Sequence, residues 1–120
     1  MQLSPPGYLL DGTALGDSLA HIGWLAYSHL EAGPDVVTGQ RLLRHALRRG
    51  FDHTFISPRE LSYLVRCHSE DAAAWKEVAQ SALRAGRGSA WARPVIAAAD
   101  SALNVPRERR CITSGPARAV

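Results

Sequence analysis

Residues 13–32 read TALGDSLAHIGWLAYSHLEA, and this stretch sets the expectation for the whole chain. At 100° per residue, Leu15, Leu19, Ile22, Ala26 and Leu30 share one narrow arc, as an amphipathic helix requires. Beside the arc runs a line of small residues, Gly12, Gly16, Ala20 and Gly23. A glycine inside a helix costs about 1 kcal/mol against alanine, so a second backbone packed closely along that line is the expected compensation. The stretch predicts the central helix of a small helical domain.

The polar edge of the same helix carries Asp17, His21, Trp24 and Ser28 at i, i+4, i+7 and i+11, which places them in one stripe. A tryptophan there reads as a partner contact, since Trp is enriched among binding hot spots. The competing explanation is that a later segment covers the stripe. An Asp, a His and a Ser also suggest a catalytic triad, but side chains in a row along one helix do not converge, and no oxyanion loop accompanies them.

Outward from this helix, 120 residues suit one domain with a core of its own. Hydrophobic residues make up 46% and charged ones 21%, which excludes a disordered chain. No apolar run is long enough to cross a bilayer, and the N-terminus lacks a signal-peptide pattern. Two cysteines, Cys67 and Cys111, suggest a reducing, cytoplasmic setting rather than a stapled secreted domain.

Charge is divided unevenly. The first forty residues hold Asp11, Asp17, Glu31 and Asp35 and no Lys or Arg. Residues 41–120 hold all fourteen basic residues against seven acidic ones, a local balance of +7. All but Lys76 are arginine, which fits either a G+C-rich coding genome or bidentate contacts to phosphate and carboxylate. The polarity favours an anionic partner for the second half.

Punctuation then divides the chain. Pro5, Pro6 and Gly7 make residues 1–11 an irregular arm whose Tyr8, Leu9 and Leu10 are available to tuck onto the core. Gly33-Pro34 ends the first helix, and a second runs over 35–49 to Gly50. There Val36, Leu42, Leu43, Ala46 and Leu47 face one way, and Arg41, Arg44, His45, Arg48 and Arg49 the other, with Asp52 the nearest acid in sequence. The connection FDHTFI, residues 51–56, supplies two Phe and an Ile as core plugs. Ser57-Pro58-Arg59-Glu60 is a capping box with Pro at the first helical position, opening a helix over 58–67 that buries Leu61, Leu64 and Val65. Ser69 is the expected cap of a fourth helix over 70–85 burying Ala72, Trp75, Val78, Ala79, Ala82 and Leu83. Ser89 or Arg93-Pro94 opens a fifth over 94–104, with Val95, Ile96, Ala99 and Leu103 inward. Beyond Pro106 the sequence carries Arg107, Arg109, Arg110 and Arg118 with little apolar anchoring and reads as a mobile basic tail.

The fold expected is all-α: a compact single-domain bundle of about five helices over residues 1–106, with a flexible basic tail over 107–120. The function expected is a non-enzymatic regulator or adaptor, docking a macromolecule, protein rather than nucleic acid, through the Asp17/His21/Trp24/Ser28 stripe and the Arg41/Arg44/Arg48/Arg49 face. Two other readings compete. Residues 57–85 share the layout of helix-turn-helix DNA-binding modules, with helix, three-residue turn and helix. Yet Glu70 and Asp71 would repel phosphate at the start of the second helix, and Ala72, Ala73 and Ala74 cannot bond base edges. If nucleic acid binds, the basic face and Arg107, Arg109 and Arg110 are the better phosphate contacts. The last reading is a small enzyme with a pocket among His21, His29, Cys67 and His68, the two histidines 29 and 68 being placed at core or rim. The scattered histidines show no metal motif, and neither a metal nor a cofactor is expected. Gly86-Arg87-Gly88-Ser89 lacks a Walker lysine and reads as a plain turn.

Overall fold

The strongest local signal is the capping box at Ser57, and it holds, while two of the later helix starts differ from expectation. In the computed structural model, which describes residues 5–31 and 35–111, Ser57 accepts from the Glu60 amide while Glu60 reaches back to the Ser57 amide. That closed box, with Pro58 behind it, starts α3 (Pro58–His68). Asp35 accepts from the Thr38 amide at 2.9 Å and starts α2 (Val36–Arg48). The helix before it, α1, spans Ala14–Glu31. The cap of α4 (Ala72–Arg84) is Asp71, accepting from the Ala74 amide, rather than Ser69, which instead ends α3. The fifth helix, α5 (Ala92–Asn104), begins directly after Trp91, ahead of Arg93-Pro94. A single turn, α6 (Arg107–Arg110), follows Pro106.

The described residues thus form a helical bundle without strands. Its core lies among α2, α3, α4 and α5: Leu43 and Leu47 meet Leu61, Val65, Trp75, Val78, Trp91 and Val95, all buried. Trp75 faces inward as its periodicity requires. Polar residues hold this core in register. Gln40 is fully buried, its Nε2 donating to the His68 carbonyl and its Oε1 accepting from the Glu70 amide and from Trp75 Nε1. Asp52 accepts from Trp91 Nε1 at 2.8 Å and from the Gly88 amide at 3.0 Å. Gly88 sits at φ +81°, and a Cβ there would stand 2.9 Å from that of Ala92, so only glycine fits this corner. The glycine-rich turn, read as a plain turn, sets its Gly88 amide on the carboxyl group of Asp52.

The helix expected to be central is instead a flank. α1 packs along α2, while α5 lies against both α3 and α4. Among the described side chains of α1, only Leu19, Ala20, Gly23 and Ala26 are buried. Leu15, placed on the inward arc by periodicity, is 54% exposed, because it lies in the first turn. The line of small residues does accept close neighbours, but they are side chains. Gly16 receives the Asp11 carboxylate, and a Cβ at Gly23 would stand 2.7 Å from the Phe51 ring and 2.9 Å from the Phe55 ring. The arm is tucked only in part, with Leu9 half-buried and Tyr8 and Leu10 exposed. Leu103, expected inward, is exposed in the last turn of α5.

Cys67 and Cys111, read as marks of a reducing setting rather than as a staple, are joined in a disulfide, Cα to Cα 5.7 Å. Residues 107–111, read as the start of a mobile tail, are consequently docked on α3. Residues 112–120, including Arg118, lie outside the described residues. Among the described residues no helix is long and apolar enough to cross a membrane.

Candidate partner-docking surfaces

The α1 stripe begins with Asp17, whose carboxylate accepts from the Asp11 and Gly12 amides and so fastens the arm to the helix. His21 is exposed. Ser28 turns its hydroxyl back onto the Trp24 carbonyl at 3.1 Å. Trp24 is half-buried against Tyr27 and Phe55, with ring centroids 5.5 and 5.3 Å away. Phe51 and His53 continue the cluster, 5.7 and 4.8 Å from the Phe55 ring. The FDHTFI connection therefore serves two faces: Phe51 and Ile56 lean on the core, while Phe55 leans on α1.

The backbone of Phe55 lies at φ +65°, a left-handed conformation that a bulky side chain rarely takes. Two side chains hold it there. His53 Nδ1 accepts from the Phe55 amide at 3.0 Å, and the buried Thr54 donates its hydroxyl to the Ile56 carbonyl at 2.7 Å. Such a residue costs roughly 1–3 kcal/mol and persists only where its surroundings over-determine it. The six-residue connection is thus a knotted turn presenting a ring.

The arginine face of α2 has a different fate. Arg41 and Arg44 both hold Glu70, at 2.8 and 3.0 Å, and Arg48 holds Glu77 at 2.8 Å. Arg44, expected outward, is buried, with its guanidinium 5.6 Å from the centroid of the Trp75 ring. Hydrogen bonds from Arg41 and then Arg44 hold the Glu70 carboxyl below the usual carboxylate range, and Glu70 in turn raises Arg41. Asp52, the expected neighbour of these arginines, is occupied at Gly88 and Trp91. Much of the face is the seam between α2 and α4. Arg49 has no ion-pair partner among the described residues. Arg107 and Arg109 are exposed on α6, and Arg110 is half-buried against α3, where its Nε donates to the Arg66 carbonyl.

A groove of about 1070 Å³ runs between α3 and the facing ends of α1 and α2, with Leu30, Val36, Ile56 and Leu64 on its walls and Tyr63 and His68 at its rim. The four residues read as a possible enzyme pocket do not meet there. His68 is exposed beside Tyr63 rather than turned to an apolar face, Cys67 is in the disulfide, and neither His21 nor His29 lines the groove. Gln40 and Trp91 escaped the sequence reading, and Asp52 entered it only as a neighbour of the arginines. Gln40 and Asp52 carry no local pattern, whereas Trp91 had a signal in its apolar character just ahead of the fifth helix.

The geometry defines an all-α bundle carrying a strained aromatic turn on one flank. Comparison with protein-family profiles, with curated proteins and with solved structures finds no match to the chain.

Proposed function

We propose that the protein is a non-enzymatic docking module, a small regulator or adaptor that binds a protein segment across α1 and the 51–56 turn. The observation that carries this reading is the half-exposed Trp24–Tyr27–Phe55 cluster, fixed by a phenylalanine in a left-handed conformation. Strain kept at the edge of the core, where packing alone does not demand it, suits a presented surface. Trp and Tyr offer large contact area at small entropic cost. The flank also exposes Tyr8, Leu10 and Leu15, three of the seven large exposed apolar side chains among the described residues.

Charge narrows the partner. The first forty residues carry acids and no bases, so the complementary segment is apolar and basic, an amphipathic Lys/Arg helix or extended peptide. The arginine face of α2 is the weaker candidate, since Glu70 and Glu77 offset much of its charge, and a nucleic-acid partner recedes with it. In a cytoplasmic setting, a disulfide in such a module is a reversible bond rather than a permanent one.

The test uses a synthetic amphipathic Leu/Lys helix, its Leu/Glu counterpart and duplex DNA, read by amide chemical shifts. Selective shifts in α1 and residues 51–56 with the Leu/Lys peptide, reduced in Trp24→Ala, are the expected result. Shifts confined to α2 with DNA, or none with either peptide, would overturn the reading.

A further inference from the structure

We infer that the Cys67–Cys111 disulfide is a redox-operated latch, holding the arginine-bearing helix α6 against the end of α3. The helix itself supplies little. It has four residues, none buried, and its cap Pro106 makes no side-chain hydrogen bond. One isolated turn does not persist in water without tertiary support. Beside its limited packing on α5, two kinds of contact to α3 provide that support. One is the disulfide. The other is a reciprocal clasp in which Arg66 Nε donates to the Arg110 carbonyl at 3.0 Å and Arg110 Nε donates to the Arg66 carbonyl at 2.8 Å, while Arg110 also donates to the Val105 carbonyl.

Beyond the clasp, no ion pair among the described residues ties α6 to the bundle. The clasp brings Arg110 to a segment that already carries Arg66, and Arg107 and Arg109 add to the positive charge, with Glu108 the one acid on α6. Glu70, which lines the adjoining cleft with His68, Arg107 and Arg110, is already held by Arg41 and Arg44. The covalent bond therefore decides whether α6 stays. Cys67 is buried but stands outside the main core cluster, as does Cys111, so opening the bond removes no contact within that cluster. A disulfide whose loss frees one segment and spares the core is a switch rather than a staple.

The two sulfurs differ in access, which sets the direction of attack. Cys67 is only 3% exposed, whereas Cys111 is half-buried. A thiolate of a cellular dithiol reductant attacks Cys111 Sγ. The S–S bond breaks, and its electron pair leaves on Cys67 Sγ, which takes up a proton. The second thiol of the reductant then attacks the mixed disulfide, releasing the Cys111 thiol and closing the reductant's own disulfide. Two electrons and two protons pass to the protein. Once released, α6 uncovers Cys67, Arg66 and the cleft beside Val36 and Val37.

The experiment uses the full chain prepared without reductant. Thiol titration should find no free thiol before treatment with dithiothreitol and two after it. On reduction the amides of Arg109, Arg110 and Cys111, which bond the Pro106 and Arg107 carbonyls, should exchange at least about tenfold faster, with those of Leu61, Val78 and Val95 little changed. Trypsin should cut after Arg107, Arg109 and Arg110 correspondingly faster. Cys111→Ser should show the same pattern without reductant, and oxidised glutathione should restore protection to the reduced wild type. Three results would each overturn the latch: two free thiols in the untreated chain, unchanged α6 protection after reduction, or lost protection throughout α3, α4 and α5.

Discussion

The tryptophans of this molecule divide between its core and its flank. In the α2–α5 core, Trp75 and Trp91 are buried, and each indole N–H has a side-chain acceptor, Gln40 for one and Asp52 for the other. On the α1 flank, Trp24 is half-buried and held by neighbouring rings. The core uses its aromatics for stability, and each indole N–H it takes out of water is given an acceptor. The flank uses them for surface, and the helix that carries them buries chiefly small residues against its neighbours. A helix of high apolar content is thus not necessarily the centre of a bundle. What it packs against decides that.

The comparison can be broken most forcefully at Trp75. Trp75→Ala should cost about 3–5 kcal/mol, since it empties a fully enclosed site between α2 and α4. Chemical denaturation measures it, and a loss no larger than that of Trp24→Ala would erase the distinction between the two regions. Gln40→Leu comes next. It would strip the Glu70 amide, the Trp75 indole and the His68 carbonyl of their common partner, at a cost of about 2–3 kcal/mol. A stability equal to wild type would show that the polar hub is not what aligns α2 with the 69–71 turn. Trp24→Ala should be milder, roughly 1–2 kcal/mol, because the ring already meets solvent on one side.

The smallest effect sharpens the comparison at the seam. Glu70 has its carboxyl held below the ordinary range in the folded state, first by Arg41 and then by Arg44. A depressed folded value adds stability that is fully present above the ordinary carboxylate range and is lost as pH falls through the lowered value. Glu70→Gln should therefore flatten the acid limb of the melting profile, with high salt narrowing the difference between the two proteins. An acid limb identical to wild type would mean that the arginines contribute nothing through this carboxylate.

Much of the architecture was legible because its causes are local. The Ser57–Glu60 box acts over four residues, and the inward positions of Trp75, Val78, Ala79 and Ala82 follow from the helical period alone. The arginine face of α2 was also legible as a face. Its pairing was not, since Glu70 and Glu77 stand 26 to 29 residues away from their partners. Periodicity reports which side of a helix is polar, not what that side meets.

The sequence by itself therefore determined the five longer helices, the starts of α2 and α3 and most of the inward sides. It did so because backbone hydrogen bonding, capping and the 3.6-residue repeat are fixed by neighbours in the chain. Tertiary structure decided that α1 is a flank, that Gln40 and Asp52 are the acceptors for two buried indoles, and that Cys67 meets Cys111 across 44 residues. It also folded residues 51–56 into a strained turn under Trp24. Each of these depends on groups far apart in sequence meeting at bonding distance, and only the packing of whole helices brings them there.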